Sequence, residues 1–422
     1  MAATSAFEPW QYVSHWGLNR SNATFLGGLP LATLPATVSP LRVPRGYARQ
    51  AYNPSIVALP AAVRSAVGCE FCAYAATVRV DWMTQCHGFS ELLARRQQRA
   101  RSGAGSAIGA RKLTLVMLLD ASLTPLAHGW LSSRPNAKLG TLAAARTMVD
   151  ARLFVHGDRL WVVGTLPQRQ YDAAVAPLHL APLNASAARA GGAVRSLRAW
   201  VPNGELQRLV ALQARGRSQA FFDHGSQLHF QSWLVPNLVF ELGQQPTPRA
   251  ARRAGIHGRP ATLGAPLRSA GLAAAAARLA STNSCAAAAS HRAAESCRLS
   301  LNGVLLRVDE WGWLVGVGHL HRGHRDTLMG RPLPRKLAYF GHHYTHFFYA
   351  LDAAPPFAVR AVSGEWCLGD CELIQYVSGM ARTDGGGGEE LLLSFGVNDC
   401  EARVARLPLA EVRRMLVRLY YR

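Results

Sequence analysis

The apolar run Leu391 to Phe395 ends in Ser394-Phe395-Gly396, turns through Asn398-Asp399, and resumes as Arg403-Val404-Ala405-Arg406-Leu407. This reads as a buried strand that delivers Asn398, Asp399 and Glu401 to its rim before a second strand leaves. Two carboxylates and an amide are the groups a sugar-binding or glycoside-cleaving pocket uses, because carboxyl groups exchange protons with glycosidic oxygens. A hairpin turn held by local Asn and Asp hydrogen bonds accounts for the same residues.

Four other places set polar residues beside apolar runs. They are Tyr52-Asn53-Pro54-Ser55, whose strand pair continues to Val78-Arg79-Val80-Asp81; Val149-Asp150-Ala151-Arg152; Gln231-Ser232-Trp233; and Val317-Gly318-His319-Leu320-His321-Arg322. The last precedes Gly341-His342-His343-Tyr344-Thr345-His346, so His319, His321, His342, His343 and His346 lie close in sequence. In an extended segment His319 and His321 share one face, a pairing suited to phosphate or to a metal. No acidic partner at a recognised ligand spacing supports the metal, so none is expected. Asn53-Pro54 as a turn and Asp150 with Arg152 as a local ion pair are the plain alternatives.

The elements that must position these residues are short. Apolar runs of strand length recur between Gly, Pro, Asn and Asp, among them Leu113 to Leu119, Leu228 to Val235 and Phe347 to Leu351. Ala151 to Val163 reads as a hairpin around His156-Gly157-Asp158-Arg159, Val304 to Leu314 as another around Asp309-Glu310, and Ile374 to Leu393 as a third around Asp384 to Gly388. Many hairpins with few helical stripes predict an all-β sandwich, barrel or propeller. Helices are expected over the alanine-rich Gly140 to Val149 and over Pro408 to Leu419, where Leu409, Val412, Leu416 and Leu419 form a stripe. Residues 1–50, 92–110 and 244–298 read as tails or insertions from their bias toward small residues, Arg, Gly and Pro.

Composition narrows the partners. The 422 residues carry a formal charge of +21, almost all from arginine, since Lys112, Lys138 and Lys336 are the only lysines. The basic residues are dispersed and follow no nucleic-acid-binding pattern, so nucleic acid is not the expected partner and small anions are. No apolar stretch reaches the about 18 residues of a membrane span. Met1 to Pro9 does not read as a signal peptide. Acceptor triplets at Asn19, Asn22 and Asn184 would permit glycosylation, which leaves cytoplasm and secretory lumen both open. Among the eight cysteines, Cys72 reads as a buried thiol rather than a zinc ligand with Cys69. Cys367 and Cys371 are positioned to pair in an oxidising compartment.

In this order, the motifs resemble those of the family-130 glycoside phosphorylases and related propeller mannosyltransferases. Asn53-Pro54 and Arg79 look like that family's first-blade Asn-Pro turn and following Arg. Val149-Asp150-Ala151-Arg152-Leu153-Phe154 looks like its Glu-Asp-Pro-Arg before an apolar strand. Gly312-Trp313-Leu314 through Gly318-His319 is similar to its Gly-Trp-Leu strand and Tyr-His-Gly, and Tyr349-Ala350-Leu351-Asp352 through Pro355 to the strand after it. Val377-Ser378-Gly379 through Asn398-Asp399 resembles the closing blade. The likeness is best over residues 302–404.

The resemblance implies a five-bladed β-propeller over residues 46–422, after an N-terminal extension 1–45, with a low-complexity insertion at 244–298 and a short C-terminal helix. It further implies an inverting reaction on a mannoside-type sugar, without cofactor or metal. Asp150 would be the proton donor. Asn53, Arg79, Asp399 and His346 would line the sugar site, and Arg152, His319 and Tyr344 would hold phosphate, a sugar phosphate or a nucleotide sugar. Val149 and Ala151 depart from the family's Glu and Pro, and its phosphate-binding Lys has no match. A transferase, a hydrolase and a non-catalytic glycan-binding propeller therefore stand as alternatives.

Overall fold

The computed structural model describes residues 24–25, 29–30, 32–44, 47, 51–80, 113–134, 148–166, 172–183, 194–202, 204–209, 219–234, 237–242, 259–260, 267–268, 297–322, 343–369, 374–385, 388–397 and 399–418. Over these the chain is all-β, built from successive antiparallel meanders. The first is β2 (Ala51–Ala58), β3 (Tyr74–Val80), β4 (Leu113–Leu119) and β5 (Pro125–Ser132). The next is β6 (Val149–His156), β7 (Arg159–Leu166), β8 (Asp172–Pro177) and β9 (Gln207–Arg208). Then come β10 (Ala220–His224), β11 (Gln227–Leu234), β12 (Asn237–Glu241) and β13 (Leu267–Arg268).

The fourth group is β14 (Cys297–Val308), β15 (Trp313–Arg322), β16 (His343–Asp352) and β17 (Val359–Val362). The last is β18 (Gln375–Gly385), β19 (Gly388–Val397) and β20 (Glu401–Pro408). Its outer edge is completed by β1 (Thr37–Pro40), which pairs antiparallel with β20. An early strand and a late one thus share one sheet.

The opening strands β2, β6, β10, β14 and β18 each pack against the next, and β18 packs back on β2. Apolar clusters fill the spaces between neighbouring sheets. Ile56, Leu115 and Met117 of the first meander meet Leu392 and Val404 of the last. Phe154 and Val163 of the second meet Phe221 and Phe230 of the third, with Phe154 stacked on Phe221 at 4.6 Å between ring centroids. Strands covered on both faces need near-continuous apolar runs, which is why Leu113 to Leu119 has no polar face. Each such large side chain stabilises the fold by about 1.5–3 kcal/mol.

The expected hairpins form where the turn chemistry placed them. Gly157 and Asp158 both adopt positive φ between β6 and β7, the requirement of a tight two-residue turn. The Asp309–Trp311 turn joins β14 to β15. The C-terminal helix is α2 (Leu409–Met415), preceded by α1 (Ala61–Val67) between β2 and β3. α1 was not expected; it is framed by Pro60 and the left-handed Gly68, a start and stop signal that marks a helix too short to carry an apolar stripe.

Two expectations are corrected. Val149 opens β6 rather than closing a helix, because a β-branched residue buried between sheets favours a strand. The rest of that expected helix, 140–147, lies outside the described residues. Cys72 is not a free thiol but is joined to Cys69 in a disulfide. Cys367 is also disulfide-bonded, as is Cys400, while Cys371 lies outside the described residues. Of the expected insertion 244–298, only Arg259–Pro260, Leu267–Arg268 and the first residues of β14 are described. No helix among the described residues is long and apolar enough to cross a membrane.

Candidate active site

The polar residues gather where opening strands are interrupted by bulges. In β2 the pairs Tyr52↔Arg79 and Ser55↔Thr77 leave Asn53 and Pro54 unmatched. In β6 Asp150 and Ala151 stand between Val149↔Thr165 and Arg152↔Val163. In β14 Asn302, Gly303 and Val304 stand between Leu301↔Gly318 and Leu305↔Gly316. Asn53, Asp150 and Gly303 take positive φ of 49°, 50° and 67°, a region that Asn, Asp and Gly enter at least cost. A bulge re-aims the side chain it carries. The site is assembled at these interruptions.

Hydrogen bonds between sheets fix the bulges in place. Ser378 Oγ donates to Pro54 O at 2.6 Å, and Ser394 Oγ accepts from Ile56 N at 3.0 Å. Leu153 N donates to Ser55 Oγ at 2.9 Å, and Thr114 Oγ1 to Met148 O at 2.8 Å. Asn53 is seated directly against Gly396: a Cβ there would collide with Asn53 Oδ1 and stand 2.8 Å from its backbone N. The glycine of the Ser-Phe-Gly motif is thus a contact surface. Gly396→Ala is expected to destabilise the protein by about 1–3 kcal/mol through overpacking, read from the denaturant midpoint.

One half of the site is a buried ion pair. Arg79 Nη1 lies 2.7 Å from Asp150 Oδ1, with both side chains almost wholly buried. The Arg79 guanidinium lies over the Tyr52 ring at 4.9 Å. Burial pulls the Arg79 pKa down, but Asp150, Tyr52 and Asp399 together outweigh it and hold the pKa well above the ordinary value. Asp399, at φ 50° just beyond β19, therefore acts on the same guanidinium as Asp150. Glu401 does not join them. It is exposed and bridges to Arg403 at 2.7 Å.

The other half surrounds Arg152, which is 2 % exposed. Its Nε and Nη1 have no hydrogen-bond partner among the described residues. Its stem packs on the β14 bulge, since a Cβ on Gly303 would stand 3.0 Å from Arg152 Cδ. Beside Gly303, Asn302 Oδ1 accepts from His319 Nδ1. The His319 ring lies 5.3 Å from Tyr376, 5.5 Å from Tyr344 and 6.5 Å from His346. Asn302 Nδ2 and the Tyr376 hydroxyl are buried and unpartnered among the described residues. Asn302 and Tyr376 were not foreseen. Asn302-Gly303 reads as an ordinary turn, and Tyr376 as one aromatic in an apolar run.

His346 faces His319 across the β15–β16 register. It is fully buried, stacked on Trp366 at 5.1 Å, and its Nε2 accepts from Val377 N. Burial pushes its pKa down from 6.5 to about 3. Above pH 6.5 it is neutral folded or unfolded. Below that value the unfolded chain takes a proton that the folded chain refuses, so stability falls with pH down to about 3. Lowering the pH from about 7 to about 5 is expected to cost about 2 kcal/mol through this residue. Urea unfolding of His346→Gln should show that much less loss. The side chains of His321 and His343, like Asn398 and His342 entirely, lie outside the described residues. Among the described residues no His, Cys, Asp and Glu cluster could hold a metal ion.

No family model matches the chain, and no curated protein sequence does. Solved structures similar to the chain include propeller-type carbohydrate enzymes. One is a mannose phosphorylase from Leishmania mexicana in complex with phosphate ion, with 11% identity over 96% of this chain and 97% of that one, at a TM-score of 0.41. A beta-1,2-mannobiose phosphorylase from Listeria innocua shows 10% identity over 94% and 98%, at 0.41. An endo-arabinase from Bacteroides thetaiotaomicron shows 9% over 93% and 99%, at 0.36. At such scores the chemistry of the site has to come from this chain's own residues.

Proposed function

We propose that the chain is a five-bladed β-propeller and that it transfers or phosphorolyses a mannoside-type glycosyl group with inversion. The five meanders would be the blades, β1 the strand that closes the ring from within the N-terminal extension 1–45, and 244–298 an insertion in the 46–422 body that lends β13 to the third blade. One observation carries the functional reading: a buried guanidinium, Arg152, whose Nε and Nη1 have no partner among the described residues and whose stem packs on Gly303, next in sequence to Asn302 with its unpartnered Nδ2. Burying an uncompensated cation is expensive, and a cluster of donors with that one positive charge suits an oxyanion.

In this reading Arg152, His319 and Tyr344 hold phosphate, while Asn53, Arg79 and Asp399 bind the sugar. His346, fully buried on Trp366, supports the wall behind His319. Phosphate oxygen attacks the anomeric carbon, the glycosidic C–O bond breaks, and Asp150 gives its proton to the leaving oxygen, yielding a sugar 1-phosphate and the freed acceptor. The Arg79 pair works against a protonated Asp150. Donation therefore requires Arg79 to shift toward Asp399 as substrate enters.

The two carboxylates acting on Arg79 favour, as second reading, a hydrolase in which water replaces phosphate. The test is incubation with mannose 1-phosphate or GDP-mannose and a panel of sugar acceptors. Phosphate release with mannoside formation from the first donor supports phosphorolysis. Product from GDP-mannose alone supports a transferase, and glycan binding without turnover on either donor would overturn both the phosphorylase and the transferase readings.

A further inference from the structure

We propose that Tyr376 is a further ligand of the substrate's phosphoryl group: its hydroxyl donates a hydrogen bond to a phosphate oxygen held beside His319 and Tyr344. The proposal rests on the reading of Arg152 as an anion ligand.

Tyr376 is the second residue of β18, a strand that packs on β2, β6, β14 and β16, each of which carries residues of the site. Its cross-strand partner is Gly396, the surface against which Asn53 is seated. The next residue, Val377, donates its backbone N–H to His346 Nε2. One residue further, Ser378 Oγ donates to Pro54 O at 2.6 Å. The Ser378 carbonyl oxygen would stand 3.2 Å from a Cβ on Gly303, the glycine that bears the Arg152 stem. The start of β18 thus borders the Asn53 bulge on one side and the Asn302-Gly303 bulge on the other. Between them the Tyr376 ring stands nearly perpendicular to His319, at 5.3 Å between centroids, and to Tyr344, at 6.3 Å.

Energetics decide what the hydroxyl is for. Tyr376 is 7 % exposed, and its oxygen meets no partner among the described residues. A buried tyrosine ordinarily finds a hydrogen-bond partner, and one left without it bears the full cost of desolvation. Phenylalanine would fill the same ring volume at no such cost. Tyr349 also has a buried hydroxyl without a partner among the described residues, but its ring lies in an apolar cluster with Phe347, Leu305 and Leu314. The rings around Tyr376 belong instead to two residues read as anion ligands. A phosphate oxygen held by those two is the acceptor that the Tyr376 hydroxyl lacks. Phosphate presents acceptor oxygens in every ionisation state, so the tyrosine acts as donor.

The test is calorimetric titration of the intact protein with inorganic phosphate, paired with urea unfolding. Tyr376→Phe is expected to bind phosphate about 10–100-fold more weakly, the loss of one hydrogen bond to a charged group. Its urea midpoint should stay unchanged or rise. Tyr349→Phe removes an equally buried hydroxyl from the apolar cluster and should leave phosphate affinity unchanged. Undiminished phosphate binding in Tyr376→Phe overturns the role of Tyr376. So does a loss of affinity that comes with a lowered urea midpoint, or one matched by Tyr349→Phe. If Arg152→Gln, folded by circular dichroism, then abolishes phosphate binding, the anion site itself stands. No phosphate binding by the wild type, or binding untouched by Arg152→Gln, overturns the anion site and the role of Tyr376 with it.

Discussion

Arg152→Met is expected to abolish phosphate-dependent turnover, by a factor of about 10³, without unfolding the protein. Removing an anion ligand accounts for the first effect. The second follows from burial. Arg152 is among the largest fully buried side chains, yet Nε and Nη1 meet no acceptor among the described residues. Such a charge opposes folding, and an apolar side chain of similar length should leave stability unchanged or raise it by about 1–3 kcal/mol. A residue kept at the expense of stability is the signature of a functional site. Denaturant unfolding and sugar 1-phosphate formation, measured on the same preparation, provide the check. Loss of several kcal/mol on substitution would mean that the guanidinium serves the fold, and the anion reading would lose its ground.

Whether a residue is visible in the sequence follows from how local its physics is. The strand over Leu113–Leu119 and the β6–β7 turn at Gly157-Asp158 were legible because apolar runs and left-handed turn residues act within a few positions. Asn53 and Asp150 were legible as candidates but not as what they are. Their positive φ values and the bulges beneath them arise from the register of a partner strand, which no single segment encodes. Asn302 was missed for the same reason: within its segment it is a turn-former, and only the pairing of β14 with β15 brings it to His319. Gly396 illustrates the converse. Its place in the motif was conspicuous, but its contact with Asn53 spans most of the chain. Of the carboxylates in that motif, Asp399 turns toward the Arg79 pair and Glu401 toward solvent and Arg403. Alternation along a strand could not decide between them, because a turn lies in the way.

Arg79→Ala should cost about 3–5 kcal/mol of stability, the largest loss expected from any single polar residue of the site. The pair it breaks is asymmetric. Arg79 lies at 2.7 Å from Asp150, but it is also favoured by Tyr52 and Asp399. Take away Asp150 as Asn, and the guanidinium retains two of its three stabilising neighbours. Take away Arg79, and a buried carboxylate loses its cation while a second carboxylate remains nearby. The arginine substitution should therefore cost more than Asp150→Asn, and the difference should shrink when both are replaced. In Arg79→Met/Asp150→Leu no buried charge of the pair is left, and most of the lost stability should return. Urea midpoints of Arg79→Met, Asp150→Leu and the double variant close this cycle, and those of Arg79→Ala and Asp150→Asn give the two single penalties. Equal penalties for the single variants would show that Asp399 does not share the guanidinium. The route by which Arg79 releases Asp150 for proton transfer would then be closed, since the arginine would have no second anion toward which to move.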